Sequence, residues 1–431
     1  MPKWPLGIGL VVLILGLALP VLYIHYGLER SSVWLVPIYA VSFVTYFFLF
    51  RKTDFTIYQL LAIAVIIRLL LFFGAPALSD DYFRFVWDGQ LWGGGVNPYV
   101  STPAELVDSY PTYDSLYSQL NSPNYHSTYP PLSQYIFALP VSLGIQDTYL
   151  SMTIIRGVLF WVEIGIMFLL FQLTRRVWSV LLYAFNPLVI LELTGNLHFE
   201  GVVVFCLLLA YWLYQSQQWK SAAFTLSLGI LAKLTPLMYL PLLVKKIGIK
   251  KAVWSYVLIG GCLVLWSIPL IDQDILQGLG TGLDLFFRKF EFNAGLFFLV
   301  RYLGFWVKGY DVVQTAGPML SLVALGLILV YALSKVDKGT NWAKAFTVVL
   351  SIQLLFATTV HPWYVIPLVA LSGLTGYLFP VVWSGLVFLS YTGYSSSGYT
   401  HPMFWIGVEY LMVWSLALFE LIKDKPLLKN V

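Results

Sequence analysis

Charge is scarce in this sequence. Asp, Glu, Lys and Arg make up 11% of its 431 residues, against about 25% in an ordinary soluble domain. Cysteine is nearly missing. Cys206 and Cys262 both lie inside apolar runs, which suggests neither a disulfide framework nor a metal cluster and leaves them as packing residues. The net charge is only +4 and no basic tract carries it, so the chain does not read as a nucleic-acid binder. There is no glycine-rich phosphate loop of the nucleotide-binding kind. Gly93-Gly94-Gly95 runs into Val96-Asn97-Pro98-Tyr99 and reads as a turn. Without a cytoplasmic nucleotide domain, a soluble nucleotide sugar or ATP fits poorly as a substrate. A lipid-borne substrate reached from the outer leaflet fits better. The alternating strands of about ten residues that a membrane barrel needs are also missing.

What the chain has in excess is apolar surface. Hydrophobic residues make up 59% of it and the mean hydropathy is +0.79. Apolar runs of about 18 or more residues recur from end to end, each long enough to cross a bilayer. The expected fold class is an all-α polytopic membrane protein with about 13 transmembrane helices, forming one domain over residues 1–431. Residues 6–26 are too long for a signal-peptide core and carry no small-residue cleavage site, so they read as a retained first helix. Arg51-Lys52, Arg175-Arg176, Lys245-Lys246 with Lys250-Lys251, Lys335-Lys338-Lys344 and Lys423-Lys425 mark the cytoplasmic ends. Three crossings then place residues 77–130 outside, as a first long, irregular outer loop. Residues 272–313 form a second outer segment, in which 294–306 reads as a helix lying in the interface. Residues 131–145 are expected to be re-entrant or interfacial. The run 221–244 is expected to be two half-helices broken at Pro236.

Titratable residues gather on the outer side. Asp80 and Asp81 are adjacent, so at least one needs a raised pKa or a cationic partner, and Arg84 is the expected partner. Such a pair suits general-base work or a divalent cation, and reads equally well as a solvated acidic loop. Lys233 sits in an apolar run, where an ammonium faces a cavity or a phosphate, or snorkels to the interface. His198 and Glu200 give a weak metal signal, balanced by simple interfacial capping. His361, before Pro362-Trp363-Tyr364, offers a contact to sugar or phosphate, although Trp and Tyr also form ordinary membrane belts. Arg68 and Arg156 are intramembrane cations expected to pair with Glu163 or loop carboxylates.

The run Ser79-Asp80-Asp81-Tyr82-Phe83-Arg84-Phe85-Val86-Trp87-Asp88-Gly89 is followed by Gly95-Val96-Asn97-Pro98-Tyr99 and Tyr129-Pro130-Pro131. Then come Asn186-Pro187, Gly195-Asn196-Leu197-His198-Phe199-Glu200, Ala232-Lys233-Leu234-Thr235-Pro236, Phe290-Glu291-Phe292-Asn293 and His361-Pro362-Trp363-Tyr364. Together, over residues 56–422, they resemble the GT-C superfamily of integral-membrane glycosyltransferases, and within it the bacterial polyprenol-phosphate-mannose-dependent mannosyltransferase branch.

The resemblance implies the GT-C fold, with short interfacial helices in the outer loops. It implies transfer of a hexose, mannose in this branch, from a polyprenyl-phosphate sugar to a hydroxyl of a glycan, glycolipid or protein acceptor. The reaction inverts the anomeric centre on the outer, periplasmic face of a bacterial inner membrane. Asp81, with Asp80 beside it, takes the general-base position. Arg84, Lys233, Arg288, His361, Tyr364, His198, Glu200 and Asn293 fall where donor phosphate and substrate are bound. No cofactor is certain, and a divalent cation, if used, falls to Asp80 and Asp81. Two departures stand out. Phe199-Glu200 replaces the Asn-Asp that relatives often show after the histidine, and two additional spans precede the Asp80 loop. A transporter or flippase of a lipid-linked glycan is the alternative, since broken helices and intramembrane charges are also transporter features. The sequence shows no pair of similar halves to support it. A non-catalytic assembly subunit is a third reading.

Overall fold

A computed structural model describes residues 6–52, 55–110, 114–272, 280 and 290–428. Helices dominate it. Among the described residues the strands form one short hairpin, Tyr394–Ser395 against Gly398–Tyr399. Five helices are long and apolar enough to cross a membrane: Gly7–Gly27, Thr148–Thr174, Ile249–Leu270, Val313–Ser334 and Met403–Lys423. Val177–Ala184 and Pro187–Gly195, bent by 54° at the break, make a sixth if taken as one span. The chain is thus a multi-pass helical membrane protein, but helix length alone does not reach 13 crossings. Several of the expected spans are shorter helices, among them Ile57–Leu70, Glu200–Gln215 and Trp342–Phe356. At about 1.5 Å per residue these fall short of a hydrocarbon core of about 30 Å. Most side chains of Glu200–Gln215 are buried inside the protein. A helix enclosed by other helices does not have to match the bilayer.

Local sequence sets the helix ends. Thr56 and Gln59 form a reciprocal capping box before Ile57–Leu70, satisfying two otherwise orphaned backbone donors. Asp147 accepts from the Leu150 amide and starts Thr148–Thr174. Asn186 caps the turn that begins with Pro187, where proline's missing N–H costs nothing. Arg175 ends its helix in the left-handed region.

The two arginines within apolar helices are buried, and each has its guanidinium held by different partners. Arg68 meets Glu163 at 2.8 Å, and both side chains are fully enclosed. Arg156 differs from expectation. It donates to backbone carbonyls, those of Phe72 (2.8 Å), Thr194 (2.9 Å) and Gly195 (3.1 Å), and not to a carboxylate. Thr194 and Gly195 end a π-helical turn, Ile190–Gly195. Carbonyls at a helix end lack intrahelical partners, and the guanidinium supplies donors in their place.

Residues 77–130, expected as a long irregular loop, are not irregular throughout. Asp81–Gly93 is a 13-residue helix packed against the helix Pro131–Ser142. A Cβ at Gly89 would lie 2.0 Å from the Phe137 carbonyl oxygen, so only glycine permits this approach. Pro131–Ser142 has 12 residues, about 18 Å, too short to cross. The break near residue 233 is present. Trp219–Ala232 stops, Lys233 turns extended, and a 3₁₀ turn over Thr235–Tyr239 precedes Leu240–Ile247. A short helix, Leu296–Lys308, lies where the sequence places one over 294–306. Its Arg301 holds Glu291 at 2.9 Å and Asp311 at 2.7 Å, while Tyr302 and Trp306 point outward, as suits an interfacial helix.

Candidate active site

A cavity of about 1510 Å³ opens where the starts of two helices, Asp81–Gly93 and Glu200–Gln215, face the Lys233 break and residues 357–364. Asp81, Arg84, His198, Glu200, Lys233, His361 and Tyr364 all line it. These residues span about 280 positions of sequence, and the fold brings them to one space.

Asp81 occupies the first helical position, where a carboxylate is favoured by the helix dipole. Its Oδ1 accepts from the Asn121 amide at 3.0 Å. Asp80 is held differently. Arg30, from the link between the first two helices, forms an ion pair with its carboxylate and also lies 5.2 Å from the Tyr394 ring centroid. The expected pairing of Arg84 with Asp80 or Asp81 is therefore corrected. Arg84 meets Asp88 at 2.7 Å, because the helix puts the residue four positions on beside it. The guanidinium also donates to the Ser122 and Tyr125 carbonyls and so binds the returning chain to the helix.

Glu200 forms an ion pair with Lys233, whose ammonium lies 4.4 Å from the Tyr364 ring centroid. Across the cavity runs a column of rings. His198 stacks on Trp363 at 3.5 Å, and Trp363 on His361 at 4.3 Å. His361 meets Phe292 at 4.6 Å, and Phe292 meets Tyr399 at 4.8 Å. Two backbone bonds seat Phe292, to the Thr358 carbonyl and from the Val360 amide. Glu192 anchors the other end, lying 3.3 Å from His198 Nε2 and accepting from Asn196 and Tyr391. Burial, with His198 and Lys233 nearby, holds His361 well below its ordinary pKa. It is neutral near pH 7.

One expected site residue lies elsewhere. Asn293 is buried off the cavity, where its side-chain amide donates to Glu409 at 3.1 Å and its backbone carbonyl accepts from Tyr410 at 2.8 Å. It adopts a left-handed backbone with φ 46°, just before the helix Leu296–Lys308. Arg288 lies outside the described residues. Among the described residues no group of three or more His, Cys, Asp or Glu is arranged to hold a metal. The two adjacent carboxylates have separate partners, Arg30 and Asn121.

Arg30, Asn121, Glu192 and Trp363 were not marked by sequence as site residues.

The chain matches, over residues 12–247, the family model described as alpha-(1->6)-mannopyranosyltransferase, N-terminal domain, of the MptA_B family. The chain belongs to this family. No curated protein matches it. The chain is thus a multi-pass membrane mannosyltransferase, an enzyme that takes a sugar from a donor to an acceptor. The matched span includes Asp80, Asp81, Arg84, His198, Glu200 and Lys233 and stops short of His361 and Tyr364.

Proposed function

We propose that this mannosyltransferase moves mannose from a polyprenyl-phosphate carrier to an acceptor hydroxyl, building an α-1,6 linkage at the outer face of a bacterial inner membrane. The single observation that carries the reading is that Asp81 and Lys233 line the same cavity. A carboxylate and a partly shielded ammonium meet the two demands of the reaction. One takes a proton from the acceptor, and the other holds a phosphate.

In this reading the acceptor hydroxyl gives its proton to Asp81 as its oxygen bonds to the anomeric carbon. The bond from that carbon to the phosphate oxygen breaks on the opposite side, so the centre inverts. Polyprenyl phosphate departs as an anion and needs no acid. Lys233 accepts it by exchanging Glu200 for phosphate, and Arg84 supports it from the cavity edge. Asp80 serves by position, because its ion pair with Arg30 occupies it and leaves Asp81 to the acceptor. The ring column from His198 to Tyr399, its faces packed on one another, gives the cavity a rigid aromatic wall whose ring edges can meet a sugar. A lipid carrier is supported by the remaining wall. Leu322, Leu325 and Ile328 of Val313–Ser334, with Leu350 and Leu354 opposite, line the same cavity, and the outer side of that helix is exposed and apolar.

The test is transfer of labelled mannose from polyprenyl-phosphate mannose in reconstituted vesicles. Asp81→Asn is expected to cut kcat by about 10²–10⁴-fold while the protein stays inserted and folded. Full activity in that variant refutes the assignment of the base. Label that crosses the bilayer while still on its carrier would support a flippase in place of the transferase.

A further inference from the structure

The helix Glu200–Gln215 starts at the Asp81 cavity and, at 16 residues, ends about 24 Å away. At that far end lies a second cavity of about 560 Å³. Its lining includes Lys246, Lys251 and Lys338 and no Asp or Glu. Gln215, Gln217 and Asn341 add amide donors.

Lys246 is the core of the site. Its side chain is nearly enclosed, and its ammonium lies 5.1 Å from the Trp342 ring centroid. It donates to the Lys338 carbonyl at 2.9 Å and to the Thr340 carbonyl. The nearby Asp337 carboxylate is taken up by the amide and hydroxyl of Thr340. Carbonyls orient an ammonium without cancelling its charge. Three cations thus converge with no acidic group in the wall, an arrangement that attracts an anion. Lys251 and Lys338 are exposed at the mouth, free to close on a ligand.

The surroundings decide what kind of anion. On the face of the helix Ile249–Leu270 that carries Lys251 lie Trp254 and Leu265, both exposed, with Leu258 half-buried between them. Following Lys251 at intervals of three, four and seven residues, they form one stripe along the helix. An apolar stripe running away from a basic pocket suits an acyl chain below a phosphate. We propose that this end of the bundle binds the headgroup of an anionic phospholipid, with phosphate against Lys246, Lys251 and Lys338 and acyl chain along that stripe. Basic pockets between membrane helices on the cytoplasmic side commonly take such headgroups.

The experiment uses the full chain in a neutral detergent. Phosphatidylglycerol, phosphatidylcholine and inorganic phosphate are added separately, and Tm is measured with retained lipid counted by native mass spectrometry. Phosphatidylglycerol is expected to raise Tm by about 2 °C or more and to stay bound, with phosphatidylcholine doing neither. Lys251→Gln with Lys338→Gln, both exposed and harmless to folding, is expected to weaken phosphatidylglycerol by roughly twentyfold. Lys246→Gln is expected to abolish its retention. The proposal is overturned if the double variant keeps the full phosphatidylglycerol effect, or if phosphatidylcholine matches it. An equal Tm rise from inorganic phosphate alone would overturn the lipid and assign the pocket to free phosphate.

Discussion

Arg30 and Asp80 form an ion pair at the cavity, joining the link after the first helix to the start of the Asp81 helix. The pair separates two carboxylates that are neighbours in sequence. Asp80 is bound to a cation, and Asp81 lines the cavity. It also gives the first two helices a task in the site.

Arg30→Ala should therefore cost activity more than stability. The pair is about one-third exposed on both sides, and such pairs contribute roughly 0–1 kcal/mol. The unfolding midpoint should barely move, while kcat falls by about tenfold as Asp80 becomes free to disturb Asp81. Arg30→Lys should recover part of the loss, since it keeps the charge but not the flat guanidinium beside Tyr394. Equal activity in all three proteins would remove Arg30 from the site.

Gly89→Ala should loosen the seat of the Asp81 helix. The new methyl would meet the Phe137 carbonyl oxygen at 2.0 Å, and backbone yields less readily than a side chain. Overpacking of this kind costs about 1–3 kcal/mol. Gly157→Ala is the control, because a Cβ there has nothing within 4 Å and alanine is the better helix former. Thermal unfolding of the two variants should move in opposite directions.

Hydropathy and proline placement made much of this fold legible, and contacts made over long separations did not. Lys233 before Pro236 signalled a break because proline lacks an N–H and an ammonium needs a cavity, and the break is there. Arg68 and Glu163 signalled a pair because neither tolerates lipid alone, and they meet. Arg84 misled. Asp81 is three positions from Arg84, and Asp80 and Asp88 are each four, so spacing did not choose among them; Asp80 is taken by Arg30, and the guanidinium turns along the helix to Asp88. Arg30 is 50 residues from Asp80, and no local rule connects them. The ring column was hidden because belt aromatics and stacked aromatics have the same composition.

His361 gives a pH signature. Burial holds its folded pKa well below the unfolded value, which is about 6.5. The unfolded chain therefore binds a proton more readily as pH falls through about 6.5. Stability is fully present above that pH and is lost below it. The unfolding midpoint should drop between pH 7 and 5, and His361→Gln should flatten part of that drop. A drop of the same size in the variant would show that other groups cause it.

Lys233 and Glu200 permit the sharpest separation of structure from chemistry. Lys233→Met leaves the Glu200 carboxylate enclosed without its cation, so this variant should lose both stability, by up to about 3 kcal/mol, and donor binding. Stability loss alone could then explain its inactivity. Glu200→Gln resolves the ambiguity. It frees the ammonium while a neutral amide takes the carboxylate's place, so the donor phosphate no longer competes with Glu200. The donor KM should fall, with kcat changed by only a few-fold. The double variant Lys233→Met, Glu200→Gln removes both charges together and should regain most of the stability. Its activity should nonetheless stay about 10²–10³-fold down, the cost of a missing contact to a charge that develops in the reaction. Transfer assays and unfolding midpoints on the same three proteins decide the point. If the double variant recovers activity along with stability, the pair is structural glue and the phosphate is held elsewhere. If it recovers stability alone, Lys233 is the residue that receives the departing phosphate.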